Sequence, residues 1–323
     1  MSERAKVAVV GVGHLGSRHA RVYAESPNAE LVGVADVDLA RARAVAGAHG
    51  VRAVADFTEL IPDVAAASVA VPTASHREVT ARLLEAGVHV LVEKPIAASL
   101  DEARELVDLA TRTERVLAVG HTERHNPAVE ALLAGSRNPR FIEVHRLGSF
   151  SPRSLDVDVV LDLMIHDLDV VAALVRSELS SLEAVGVPVL TGRVDIANAR
   201  LRFANGCVAN ITASRVSQEK IRKLRFFEPE RYVSLDYQTQ EAISYRLVRS
   251  EGAPPEIRRD DLEVARDEPL RRELEDFLQA VATGGRPRVT GEDGLKALDF
   301  ALQVVDAMEG GRVQESGGRD RRG

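Results

Sequence analysis

Up to about residue 120 the chain alternates short apolar runs with stretches of helical period. Lys6–Val10, Ala29–Ala35, Ala67–Val71, Val88–Val92 and Val116–Gly120 are valine-rich, bounded by turn residues, and predict strands. His14–Glu25, Leu39–His49, His76–Ala86 and Leu100–Thr111 predict the helices between them. Strands that are apolar throughout, each followed by a helix, imply a parallel sheet covered on both faces. The expectation is an α/β fold, with a doubly wound Rossmann domain over residues 1–120.

Beyond residue 120 the period changes. Leu161–Val175 predicts a helix that is apolar nearly all round. In Val194–Phe203, Ala197, Ala199, Leu201 and Phe203 share one face, against Asn198, Arg200 and Arg202 on the other. Cys207–Ser214 repeats the alternation, and Arg231–Tyr237 and Glu241–Arg249 predict further strands. Period two with one polar face marks a mostly antiparallel sheet covered on one side only. Pro269–Ala282 and Gly291–Glu309 predict two closing helices, and the charged run Glu256–Arg266 a solvated loop. Residues 121–309 are therefore expected to form an α+β substrate and oligomerisation domain with an open-faced sheet. Residues 310–323 lack periodicity and are expected to be disordered.

Composition narrows the function classes. A chain of 323 residues, 45% hydrophobic, suits two domains with a core each. A net charge of −7 argues against a nucleic-acid partner. No apolar run approaches the roughly 20 residues that span a bilayer. The polar start, Met1 to Lys6, runs straight into a strand, so no signal peptide and a cytoplasmic location are expected. The single cysteine, Cys207, allows no internal disulfide and reads as a core-facing strand residue. Nine histidines show no ligand spacing beyond His121 and His125, so no metal is expected.

Gly11-Val-Gly13-His14-Leu15-Gly16 follows the first strand and opens the first helix. In that setting GxGxxG is a dinucleotide fingerprint: Gly11 for the tight turn, Gly13 for backbone approach to the pyrophosphate, Gly16 for close packing. The helix start supplies free N–H groups to the phosphates. Asp36 ends the second strand, 20 residues after Gly16, where an acid accepts from the ribose 2′-hydroxyl and repels a 2′-phosphate. That favours NAD, while Arg41 and Arg43 on the next helix leave NADP open.

Two segments carry chemistry. Glu93-Lys94-Pro95 stands at the carboxyl end of a strand, the edge of such a sheet that faces ligand. Asp162 and His166 are four apart on an apolar helix and are expected to share a face, the acid orienting the imidazole or raising its pKa. With Val71-Pro72-Thr73-Ala-Ser-His76 and the GxGxxG loop, these segments resemble the Gfo/Idh/MocA family of sugar and polyol dehydrogenases over nearly the whole chain. The resemblance implies that Lys94 and His166 meet the substrate beside the nicotinamide. It implies that Val71, Thr73, His76 and Glu93 line the nicotinamide–ribose region, and that the open sheet builds a homo-oligomer.

Val119–Ala128 and Val159–Asp167 are similar to one branch of that family, which oxidises C3 of UDP-N-acetylglucosamine to a 3-keto sugar nucleotide. A separate PLP-dependent aminotransferase then aminates the product. That branch commonly carries an aromatic where this chain has His125. On this reading the catalytic set is Lys94, His166 and Asp162, with His166 favoured as base and Lys94 as electrostatic stabiliser and relay, or the reverse. Substrate contacts would come from Lys94, Arg124, Asn126, Arg153 and His166, with Arg124, Arg146 and Arg153 as candidate pyrophosphate cations. An inositol, a free hexose or another sugar nucleotide is the alternative substrate, and a non-catalytic dinucleotide-binding sensor is the alternative of another class.

Overall fold

The computed structural model describes residues 4–135, 138–150, 157–251, 254–262 and 264–310. Arg153 and residues 311–323 lie outside the described residues, and with them one expected substrate contact and the expected disordered tail.

The first sheet has six strands: β1 (Ala5–Val10), β2 (Ala29–Ala35), β3 (Arg52–Val54), β4 (Ala66–Val69), β5 (His89–Glu93) and β6 (Leu117–Gly120). Their order is β3-β2-β1-β4-β5-β6 and every pairing is parallel. Helices α1 (Gly16–Glu25), α2 (Leu39–His49), α3 (His76–Glu85) and α4 (Leu100–Thr113) connect them. Alternate residues of β1 enter different cores: Val7 and Val9 pack with Tyr23 and Leu91, Ala8 and Val10 with Leu84 and Leu106. Burial on both faces is the reason these strands read as continuous apolar runs. In-register pairing aligns the carboxyl ends, Val10 with Ala35 and Val69, and Glu93 with Gly120, so they form one crest.

The second sheet has eight strands: β7 (Phe141–Leu147), β8 (Leu179–Val187), β9 (Ile196–Phe203), β10 (Val208–Ser214), β11 (Ile221–Glu228), β12 (Arg231–Asp236), β13 (Glu241–Val248) and β14 (Glu256–Asp261). The order is β14-β13-β12-β11-β7-β10-β9-β8, antiparallel throughout except β7 with β10. Its inner rows (Ile142 and Val144, Leu224 and Phe226, Ala209 and Ile211) share a core with α6 (Ile165–Val175) and α8 (Gly291–Gly310). The other face carries a ladder of rings, Phe141–Phe227–Tyr232–Tyr245, at 5.7, 5.0 and 5.9 Å between centroids.

The expected loop at Glu256–Arg266 is corrected. Its first six residues are β14, an edge strand paired through its backbone to β13. Both faces of β14 are exposed, so no apolar alternation announces it; a charged edge also blocks pairing with other chains.

The chain closes back on its beginning. Helix α5 (Pro127–Gly135) follows β6, and α7 (Pro269–Thr283) lays Leu274 and Phe277 against Val7, Val9 and Tyr23 of the first sheet. Thr290, just before α8, bridges to Ala118 of β6. The two sheets are thereby fixed around the segment Gly120–Pro127.

His125 lies buried in that segment. Burial, with Arg288, Arg124 and Arg272 nearby, pushes its imidazole down to about 3. The unfolded chain takes up this proton near pH 6.5 and the folded chain does not, so stability is full above about 6.5 and falls as pH drops toward 3. His125→Phe is expected to remove about 2 kcal/mol of the stability lost between pH 6.5 and 5. Thermal melts at the two pH values check this. Equal acid sensitivity in both proteins contradicts a neutral buried His125.

Candidate active site

A cavity of about 530 Å³ lies over the β1 and β4 ends of the crest, lined by Gly11, Gly13, Asp36, Val37, Ala70, Val71, Pro72 and Ser75 among others. The three glycines have separate reasons. Gly11 has φ +83°, and a Cβ there would stand 2.6 Å from the Ala70 carbonyl oxygen. A Cβ on Gly16 would strike the Gly11 carbonyl. A Cβ on Gly13 would meet nothing within 4 Å, so this backbone faces open space. Leu15 precedes α1 without a side-chain cap, and His14 beside it is exposed. Val37, 95% exposed at the rim, is an apolar side chain with nothing packed on it. An open glycine backbone at a helix start, an acid at the β2 end and an apolar rim fit a dinucleotide.

Asp36 is buried. Its carboxylate accepts from the backbone N–H groups of Val12 (3.0 Å) and Asp38 (2.9 Å) and from the Arg41 guanidinium (3.3 Å). Arg41 also pairs with Asp38 at 3.3 Å. The arginine on the next helix is thus brought back to the acid, a contact that sequence spacing did not reveal.

From Val71 the crest passes to Lys94 through His76. This buried imidazole has Nδ1 2.8 Å from the Pro95 carbonyl and Nε2 2.9 Å from the Val71 carbonyl. It holds the two loops together and presents neither nitrogen to the cavity. Thr73 begins the short turn Thr73–Ser75 that leads from the Val71 loop into α3.

Lys94 Nζ donates to the main-chain carbonyl of Asp162 at 2.7 Å and stands 3.7 Å from its carboxylate. Burial lowers the Lys94 pKa, while Asp162 and Glu93 oppose that fall. The expected pairing of Asp162 with His166 is corrected. Residues Val160–Met164 form a π turn, in which the Ile165 N–H donates to the carbonyl of Val160, five residues back. The wider turn breaks the four-residue repeat, so Asp162 faces Lys94, and among the described residues no bond joins it to His166.

His166 has a buried Nδ1 with no partner among the described residues. Its pKa falls well below 6.5, through burial and then the charges of Lys94 and Arg146. The expectation that a neighbouring acid raises it is therefore corrected too. His121, fully buried, stands edge-on to His166 with centroids 6.1 Å apart, and burial with Lys94 pushes it down to about 3. An ammonium held by an acid thus faces two neutral imidazoles.

Behind Lys94, Glu93 is buried against Gly120, where a Cβ would lie 2.8 Å from its carboxylate. Its Oε1 is 3.0 Å from His19 Nε2 of α1, out of hydrogen-bond alignment. Glu273 of α7 accepts from Thr122 at 3.0 Å, and burial, then Glu93, raises its pKa well above the usual range.

Two expected substrate ligands are committed elsewhere. Arg124 is buried and donates to Asp169 (3.1 Å) and to the Arg288 carbonyl (3.3 Å). Asn126 donates to the Tyr237 carbonyl (3.0 Å) and accepts from the Ala128 N–H (3.1 Å), capping the start of α5. Arg146 donates to both oxygens of Asp167 (2.6 and 2.9 Å) and to Glu123 (3.0 Å), and lies over the Tyr237 ring.

Comparison with known proteins places this arrangement. Residues 5–121 match the profile of an oxidoreductase family with an NAD-binding Rossmann fold, and residues 113–228 match the Gfo/Idh/MocA C-terminal domain. UDP-N-acetylglucosamine 3-dehydrogenase of Acidithiobacillus ferrooxidans is 40% identical over 94% of this chain and 97% of its own. The chain belongs to the Gfo/Idh/MocA oxidoreductase family. The solved structure of that relative matches 96% of this chain and 99% of its own, with a TM-score of 0.89 and 39% identity. Another member, an inositol 2-dehydrogenase of Rhizobium meliloti, is 27% identical over 94% of this chain and 96% of its own. A levoglucosan dehydrogenase solved with NADH shares the fold, with a TM-score of 0.84 at 20% identity over 95% of this chain and 98% of that one.

The glycine geometry predicts two separable outcomes. Gly16→Ala should destabilise the fold by about 1–3 kcal/mol, because the new methyl meets backbone. Gly13→Ala should melt like the parent and bind NADH at least about tenfold more weakly, since the methyl intrudes only where the pyrophosphate approaches. Melting and NADH titration read the two effects; parent-like NADH binding by Gly13→Ala contradicts the second.

Proposed function

We propose that this chain oxidises C3 of UDP-N-acetylglucosamine, with NAD as hydride acceptor, to the 3-keto sugar nucleotide. The carrying observation is the Lys94 ammonium, fixed at 2.7 Å on the π turn beside a neutral His166. The similarity to the Acidithiobacillus ferrooxidans enzyme supplies the substrate.

Gly11, Gly13, His14, Leu15 and Gly16 would hold the dinucleotide phosphates, Asp36 the adenosine ribose, and Val71, Thr73 and Glu93 the approach to Lys94. Bound NAD supplies the acceptor for the C3 hydride. His166, kept unprotonated by its surroundings, takes the hydroxyl proton as the carbonyl forms, while Lys94 stabilises the developing alkoxide. Asp162 keeps Lys94 charged and aimed. Asp36 favours NAD over NADP, even with Arg41 beside it. The ladder of rings on the uncovered sheet face supports a homo-oligomer. The reaction suits a reducing cytoplasm, in keeping with the buried Cys207, and its ketone product suits a PLP-dependent aminotransferase.

NADH formation with UDP-N-acetylglucosamine, free N-acetylglucosamine and myo-inositol tests the substrate; turnover only with myo-inositol overturns it. Lys94→Ala and His166→Ala should each lower turnover by roughly a hundredfold or more while leaving NADH affinity nearly intact. Near-normal turnover in either variant sinks the role assigned to that residue. Asp36→Ala should lower the preference for NAD over NADP by about tenfold or more, the loss of a charged contact. An unchanged ratio means that another group reads the ribose.

A further inference from the structure

The inner rows of the second sheet share a pattern at one end. On β7 the row runs Ile142, Val144, Arg146; on β11 it runs Phe226, Leu224, Arg222; past β10 it runs Ile211, Ala213, Arg215. Register places Phe226 opposite Ile142, Leu224 opposite Val144 and Arg222 opposite Arg146, so all six side chains point to the covered face. The core thus gives way to arginines where the sheet meets the π turn and α6.

Two of these arginines are neutralised. Arg146 is bound by Asp167 and Glu123. Arg215 donates to Asp195 at 2.9 Å and to the Val157 carbonyl at 2.9 Å. Arg222 is half-buried, and among the described residues its guanidinium has no hydrogen-bond or ion-pair partner. Burial and then Arg146 lower its pKa, against the weaker pull of Glu123 and Asp167. Its charge also reaches His166, among those that depress the imidazole. A partly desolvated cation without a counter-ion is unfavourable in the empty protein and becomes favourable when an anion arrives. A guanidinium suits phosphate, which it grips with two parallel N–H donors.

We propose that Arg222 receives the phosphate groups of the substrate and thereby selects sugar nucleotides over free sugars. The inference rests on the sugar-nucleotide reading above; Arg124 and Arg146, the cations expected for that role, are already paired with Asp169 and with Asp167 and Glu123.

The test compares the parent with Arg222→Ala, Arg222→Gln and Arg222→Lys. For both neutral variants, KM for UDP-N-acetylglucosamine should rise about ten- to hundredfold with a much smaller change in kcat, the signature of lost uniform binding. The ratio of kcat/KM for UDP-N-acetylglucosamine over free N-acetylglucosamine should fall by the same factor. Arg222→Lys, which keeps the charge and loses the fork, should fall between. An unchanged KM and ratio in the neutral variants overturn the proposal, as does a loss confined to kcat. A second measurement stands if the parent does not turn over UDP-N-acetylglucosamine, which would defeat the substrate reading alone. Inorganic pyrophosphate titrated into NADH-saturated enzyme should bind the parent about tenfold or more tightly than Arg222→Ala, whose NADH affinity and melting temperature check its fold. Equal pyrophosphate binding, or none to either protein, overturns the anion site.

Discussion

The structure turns on one half-buried ammonium. Lys94 stands where β5 ends, its side chain largely shielded from water, and a charge so placed is costly unless it is both paired and hydrogen-bonded. The fold answers with a single turn: the main-chain carbonyl of Asp162 accepts at 2.7 Å and its carboxylate lies 3.7 Å away. That carbonyl belongs to the π turn at Val160–Met164. Because Lys94 directly follows β5 of the first sheet and Asp162 lies in the turn before α6 under the second, this contact ties the two parts of the chain together at the site.

The same charge explains the surroundings. His166 and His121 are held unprotonated by burial together with Lys94, so each is an acceptor in waiting. Arg146 is kept from adding a free charge by Asp167 and Glu123. Farther back, Glu93, His19 and Glu273 fill the space between the crest and α7. Arg222 alone among the inner-row arginines is left without a counter-ion by the described residues. A site balanced so closely makes one unmatched cation informative about what enters it.

Much of this was legible in the sequence, for physical reasons. Parallel strands buried on both faces announce themselves as valine runs, so β1, β2, β4, β5 and β6 were visible within a residue or two; β3, with three residues, is too short to show a period. The alternation of β9 and β10 betrayed an open-faced sheet, but β7, β8 and β11 mix polar and apolar residues on both faces and were not singled out. Lys94 and His166 stood out as charge at a strand end and polarity on an apolar helix. The partner of Asp162 did not, because face-sharing at four residues assumes the α period that the π turn breaks. Arg124 and Asn126 looked like ligands because they lie near the site in sequence; burial and nearby acceptors gave them structural duties. Arg222 had a signal, an arginine ending an inward apolar row, but that signal exists only once β11 is known.

The most direct test of the account is the pH–rate profile of Asp162→Asn. If the Asp162 carboxylate sustains the Lys94 ammonium, removing its charge lowers the Lys94 pKa. The alkaline limb of kcat/KM, where that ammonium is lost, should then move down by about one pH unit, while NADH affinity is unchanged. An alkaline limb that stays in place, with only the plateau reduced, would contradict the claim that this contact governs the site.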